Sequence, residues 1–353
     1  QGMGRVNAVR FHPTNPKEIW VGAAMGGVWY TKDGGTTWEK FPFTQFLSLG
    51  VSDIAFSQSN PNVAYVATGD VDGNGSSKSC YSVGIIKTTN GGQDWTITNF
   101  AKQLSDRELV TRILVDPSNP NTVIATYYGG IVKTTDGGET WTETKVDSKQ
   151  FIDLKADPSN FDNMYATTFS YSGTNYIYKS TDRGNTWTKK EGFDSTIRLA
   201  MAVTPNNPNY IYILAANEQS GFAAIYFSTD KGESWDVSYD ENTGKNLLGW
   251  SELGNDTKGQ GFYDLSIAVS PTDYKTIYVG GINIWKSTNS GYAWTLAAHW
   301  YSENFPYVHA DIHDLSYTAD GSKLYVGSDG GVDVTADNGK SWQFLGDGLA
   351  ITQ

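Results

Sequence analysis

At 353 residues, with 38 glycines, 14% aromatic and only 18% charged residues, the chain is composed for sheet and tight turns, and no long amphipathic helical pattern occurs in it. A net charge of -12 excludes the basic footprint that nucleic-acid phosphates require and disfavours an anionic membrane, whereas it suits an exported protein or one collecting divalent cations or neutral glycans. The lone cysteine, Cys80, excludes an intrachain disulfide, and no apolar run is long enough for membrane insertion.

In chain order, the first predicted strand is Val6–Phe11, followed by the turn Pro13-Thr-Asn-Pro16 and a second strand at Ile19–Val21. A Gly-rich turn leads to a third strand, which runs into Thr31-Lys-Asp33-Gly-Gly35, and Trp38 opens a fourth. The same unit then returns. Its signature, Ser/Thr-x-Asp/Asn-x-Gly-x-x-Trp, recurs from Thr88 to Trp95, Thr134 to Trp141, Ser180 to Trp187, Ser228 to Trp235, Ser287 to Trp294 and Thr335 to Trp342. The Pro/Asn turn recurs in step, as in Asp116-Pro-Ser-Asn-Pro120 and Ser270-Pro-Thr-Asp273. The Asp or Asn side chain is expected to accept N–H groups of its own hairpin, the Gly to supply a positive φ, and the Trp to fill the gap between units.

Seven four-stranded units repeated radially make an all-β, seven-bladed β-propeller, which hides its sheet edges by closing into a ring. The predicted blades span 1–48, 49–106, 107–148, 149–195, 196–259, 260–307 and 308–353. Residues Gly348–Gln353 read as the opening of a further strand, so the chain is expected to be one propeller of a longer polypeptide, trimmed before Gln1.

The repeated turn resembles the Asp-box, or BNR, motif of sialidases and sortilin-like proteins. Gly4–Pro13, Gly259–Leu265, His309–Leu315 and Gly327–Val332 are similar to segments of large exported Asp-box proteins of Bacteroidota that leave by type IX secretion, and the likeness runs over essentially the whole chain. The resemblance implies a secreted or cell-surface location and further domains of the same polypeptide. More distantly, the chain is similar to xyloglucan-hydrolysing glycosidases, whose catalytic aspartates come one from each of two propellers. Their motif falls on no aspartate here.

Function on a repeat scaffold sits in the segments that the repeat does not need. The longest connector, 236–263, carries Trp250, Gln260 and Tyr263 and ends at Asp264; the next, 297–313, carries Trp300, Tyr301, His309, Asp311 and His313. On one face they would combine aromatic platforms with carboxylates, a set that fits glycan or a protein ligand. His309-x-Asp311-x-His313, alternating on a strand, would also turn three metal ligands one way; the plainer reading is a lining of the channel mouth. A third insertion reads Asp70-Val-Asp72-Gly-Asn74-Gly, with calcium-loop spacing, but Tyr81 stands where the bidentate acid belongs. Calcium or another divalent cation is therefore a candidate on Asp70, Asp72 and Asn74.

Enzyme patterns are thin. Arg5, Arg112 and Arg198 stand near first-strand starts without a sialidase Arg-Ile-Pro signature, and no G-x-S-x-G elbow occurs. Asp53, Asp153, Asp264, Asp311 and Asp314 supply carboxylates for glycoside hydrolysis, yet solvated acids at a channel mouth are common. The expectation is a non-catalytic recognition propeller with no catalytic residue assigned. The alternatives are the N-terminal propeller of a two-propeller glycoside hydrolase and an assembly scaffold for a membrane complex.

Overall fold

A computed structural model describes residues 3–42, 50–73, 80–144, 146, 149–242, 244–301 and 303–351. The chain forms seven separate four-stranded antiparallel sheets, each a simple meander, arranged as a seven-bladed propeller. In the first blade β1 (Val6–Phe11) lines the central channel, β2 (Ile19–Ala23) and β3 (Gly27–Thr31) follow outward, and β4 (Glu39–Lys40) is the rim. The other six sheets span 51–101, 110–144, 150–193, 196–240, 266–298 and 312–344. No α-helix occurs among the described residues.

The core is not one mass but seven, a hydrophobic cluster between each pair of neighbouring blades. Between blades 1 and 2, for example, Trp20, Phe41, Ile54, Val66 and Trp95 pack together. Every sheet is thus covered on both faces by its neighbours, and its middle strands are mostly buried. The repeated turn seals the outer ends. The Thr31 hydroxyl accepts the N–H of Gly35 at 3.0 Å, and Asp33 Oδ1 accepts those of Thr36 and Thr37 at 2.9 Å. The indoles of Trp95, Trp141, Trp187 and Trp294 donate back to the Gly carbonyl of their own turn, at 2.9–3.3 Å.

Lysines tie four of these turns to the blade before them. Lys87, Lys133, Lys179 and Lys286 each reach a turn carbonyl of the next blade, on Gly137, Arg183, Lys231 and Asn338, at 2.8–3.1 Å.

Among the described residues no strand is exchanged where the ring closes. Residues 348–351 form a turn, not the opening of a further strand, because Gly348 adopts a φ of +92° and Leu349 bonds back to Gly346 at 2.9 Å. Leu349 and Ile351 then pack with Val6, Val9 and Trp38 between the last blade and the first, and the Trp38 indole donates to the Leu345 carbonyl at 2.7 Å.

In six of the seven blades the innermost strand carries a register shift at its start, skipping Asn7, Ser52, Thr111, Ile152, Ile197 and His313. Such bulges re-aim side chains beside a mouth. Here they decide what enters the channel.

Candidate ligand face and channel

The connectors that enter the innermost strands lie at one end of the ring, together with the insertion after Gly69. The 236–263 connector is fixed from within. Asn246 donates to the carbonyls of Asp256 and Lys258, Asp256 accepts the Ser251 N–H at 2.6 Å, and Leu247 and Leu248 are buried. Asn283 then joins it to the 297–313 connector. Its amide donates to the carbonyls of Gly249 and Trp250 at 3.0 and 3.1 Å, and its oxygen accepts the Trp300 N–H at 3.4 Å. The His299 ring adds a contact to the Trp250 carbonyl at 3.0 Å. On this shared base the side chains of Trp250, Trp300 and Tyr301 stand exposed, with Leu253, Phe262 and Tyr307 exposed on the same connectors. Trp300 and Tyr301 lie 5.5 Å apart between ring centres.

Beneath this face the channel is bolted by charge. Asp70 and Asp72 enter its mouth, anchored by Val71 against Ile152 and Phe169. Asp70 pairs with Arg5 and accepts the Asn7 amide at 3.1 Å. Asp72 takes Arg198 at 2.6 Å and His313 Nδ1 at 2.9 Å. The other His313 nitrogen faces Asp329 at 3.0 Å, and the Tyr263 hydroxyl donates to Asp329 while accepting from Arg5 at 2.7 Å. Burial alone would push the His313 imidazole down, but its bonds to Asp329 and Asp72 outweigh burial and raise its pKa. Burial works equally against ionised Asp72, and Arg198 with His313 holds it far below the usual carboxylate range.

Asp264 is the opposite case. It is fully buried beside Asp311 with no cation bonded to either oxygen among the described residues, and burial followed by the Asp311 charge lifts it well above the ordinary range. Asp311 is itself raised, by burial and by Asp329, and accepts the Gln260 amide at 3.0 Å.

The two metal expectations do not match this geometry. The oxygens of Asp70 and Asp72 are turned onto protein cations, so a calcium ion would have to displace Arg5 and Arg198; Asn74 lies outside the described residues. His309, Asp311 and His313 do not alternate on a strand. Asp311 is left-handed at φ +66°, the strand begins only at Ile312, and His313 sits in the bulge, while the His309 ring turns to the Ala310 carbonyl at 3.1 Å. Among the described residues no group of three or more His, Cys, Asp and Glu side chains is placed to hold a metal ion.

The bolt brings in residues that were not assigned to the site from the sequence: Asn7 and Asp329, and Arg5 and Arg198, which stood out only as cations near first-strand starts. Asp329 meets His313 16 positions away, and Arg5, Asn7 and Arg198 reach partners 44 to 258 positions away along the chain. The one available signal was phase, since Arg5, Asn7 and Arg198 all fall at the start of an innermost strand.

From the other end the channel is open, as a cavity of about 880 Å³. Its narrow part is ringed by ion pairs: Arg10 with Asp53 and Asp314, and Arg112 and Lys155 with Asp153. The same aspartates accept inner-strand N–H groups of the next blade, those of Ile113, Met201 and Val9 at 2.7–3.2 Å.

Comparison with known proteins agrees with this architecture. A family model described as "Sortilin, neurotensin receptor 3" matches residues 129–258. The chain is 29% identical over 130 residues to the xyloglucanase Xgh74A of Acetivibrio thermocellus, covering 34% of this chain and 14% of that protein. It is 22% identical over 252 residues to a probable oligoxyloglucan-reducing end-specific xyloglucanase of Neosartorya fischeri, covering 67% and 28%. Among solved structures, the GH74 xyloglucanase of Xanthomonas campestris superposes with a TM-score of 0.69 at 14% identity, over 98% of this chain and 55% of that one. YCF48 of Cyanidioschyzon merolae superposes with a TM-score of 0.64 at 17% identity, over 94% and 95%. The chain thus spans 14% to 28% of the curated relatives it matches, and what it shares with all of them is the β-propeller scaffold.

Proposed function

We propose that this chain is a recognition propeller of a secreted or cell-surface protein, non-catalytic in itself, that binds a neutral glycan on the face built by the 236–263 and 297–313 connectors. One observation carries the reading: Trp250, Trp300 and Tyr301 are exposed on two connectors whose backbones are hydrogen-bonded to each other through Asn283 and His299. Large rings exposed to water cost stability unless something packs on them, and a pre-fixed backbone spares the entropy of ordering them on binding. Sugar CH faces pack on such rings, while Gln260 and Asp311 at the same mouth offer a donor and an acceptor for hydroxyls. The net charge of -12 favours a neutral polymer over a polyanion. The xyloglucanases among the curated relatives support a polysaccharide ligand.

The test is binding of xyloglucan and other neutral polysaccharides by affinity electrophoresis and calorimetry. Trp250→Ala and Trp300→Ala should each weaken binding about tenfold, the equivalent of about 1.4 kcal/mol. No binding by the parent chain, or binding indifferent to both changes, removes the glycan reading.

One finding favours a second reading. The chain covers 55% of the Xanthomonas enzyme at a TM-score of 0.69, as half of a two-propeller glycoside hydrolase would. The loop face would then be one wall of a cleft, and xyloglucan cleavage would require a second propeller supplied from elsewhere in the polypeptide. The likeness in extent to YCF48, one structure of which is bound to D1 peptide, instead favours a scaffold that captures protein in the absence of any glycan binding.

A further inference from the structure

The open end of the channel, on the face opposite the aromatic connectors, has a chemistry of its own. At its narrow part three cations meet three carboxylates, and two of the cations, Arg10 and Lys155, are more accessible than any of the carboxylates. The Arg10 side chain is 25% exposed, Lys155 32% and Arg112 13%, whereas Asp53, Asp153 and Asp314 are 5%, 7% and 14% exposed. The carboxylates are drawn into the wall by backbone donors. Asp53 accepts the N–H groups of Ile54 and Ile113, Asp153 those of Leu154 and Met201, and Asp314 that of Val9 together with the Ser316 hydroxyl. Arg112 approaches Asp153 only loosely, at 3.5 Å, with its Nη1 held by the Thr111 carbonyl at 2.9 Å. Arg10 is engaged at both ends of its guanidinium, by the Val9 carbonyl, Asp314 and Ser316 on one nitrogen and by Asp53 on the other, so the donors left to the lumen are chiefly those of Lys155 and Arg112. Beyond them the wall turns apolar, with Phe11, Phe56, Leu114, Phe161 and Tyr317 among its lining residues. The volume, about 880 Å³, falls within the range of small-molecule sites.

We infer that this cavity is a second binding site, for a small organic acid that sets its carboxylate against Lys155 and Arg112, beside the paired Arg10, and its apolar body against the aromatic wall. A charge-assisted bond in a partly desolvated channel is about twice as strong as a neutral one. Polyanions are kept out by the acidic exterior and by the width of the channel. The cations of the site are not among the loop-face residues, and the site does not depend on the glycan reading.

The probe is 3-phenylpropionate, titrated calorimetrically into the intact chain against its uncharged amide and against inorganic phosphate. Saturable binding of the acid is expected, at least tenfold tighter than either control. Arg112→Gln should abolish that preference, while Trp250→Ala should leave it unchanged. Acid and amide binding equally, or no saturable binding of the acid, overturns the site. Phosphate binding as tightly as the acid overturns the apolar half of the assignment. The acid–amide comparison uses the unmodified chain and so holds even if the Arg112 variant fails to fold.

Discussion

Asp333 shows how sharply one residue can report its surroundings. It lies mid-strand, 3% exposed, with Oδ2 unbonded, and burial alone lifts its pKa to about 7. An unfolded aspartate titrates near 3.9, so between about pH 4 and pH 7 the unfolded chain has lost a proton that the folded chain retains. Stability must fall as pH rises through that window, and the penalty is complete above about pH 7. Three pKa units correspond to roughly 4 kcal/mol. Asp333→Asn should therefore match the parent at pH 4 and exceed it by up to roughly 4 kcal/mol at pH 8 in chemical denaturation. A stability difference that does not change with pH would show that Asp333 is ionised and solvated in the fold. His313 has the opposite sign: its raised pKa gives stability that is whole below about pH 6.5 and fades as pH climbs through the folded value. His313 was a candidate site residue from the sequence and Asp333 was not, but the burial of neither was legible, because burial of a polar group follows from bulges and blade contacts that alternation does not encode. Trp250 and Trp300 were legible for the opposite reason, standing in segments that a regular blade does not need.

At the scale of the element, the repeated turn explains a contrast within its own motif. The two positions following Asp or Asn both adopt positive φ, yet only the second is always glycine; the first holds Arg183, Lys231, Ser290 and Asn338 in four blades, at φ +58° to +63°. Sequence reasoning assigned the invariant glycine to φ alone, and that is not enough. A Cβ at the second position would meet the preceding blade at 2.2 to 3.3 Å, whereas a Cβ at Gly91 has nothing closer than 3.7 Å. The invariant glycine is a close approach between blades. Gly91→Ala should cost about 1 kcal/mol, the price of a left-handed residue. Gly92→Ala should cost that and about 1–3 kcal/mol more, because its Cβ would strike Phe41 at 2.2 Å inside the cluster of Trp20 and Trp95. Equal costs in urea denaturation would return the glycine to a purely conformational role. The repeat made the strand count and order readable, since Pro/Asn turn, glycine turn and Trp come round in fixed phase. The register shifts at the innermost strands left no such mark, so the inward aim of His313 and the pairing of Arg198 with Asp72 had to come from coordinates.

For the whole molecule the question is how a ring of seven blades holds its seam. Each of the other six junctions joins blades that are consecutive in the chain. The seam between the last blade and the first joins residues some 300 positions apart by side-chain packing, the Trp38–Leu345 bond, the bonds of Arg10 and the Val9 N–H to Asp314, and one backbone bond from Met3 to Gly330 at 2.9 Å. Among the described residues no strand crosses it, so its strength rests on packing and on these bonds. Leu349 and Ile351 are the wedge, and the backbone at Gly4 is so close that a Cβ there would lie 2.7 Å from Ile351. Removing two buried aliphatic side chains costs about 2–5 kcal/mol each where the site cannot collapse. A rigid seam between two sheets is such a site. Shortening the chain after Gly346 should lower the melting temperature. Hydrogen exchange should locate the loss, with amides of the first and last blades becoming labile before those of blades 3 to 5, because a ring with a weakened seam opens there first. Protection lost evenly around the ring would mean that the blades unfold as one unit, with the seam no weaker than any other junction.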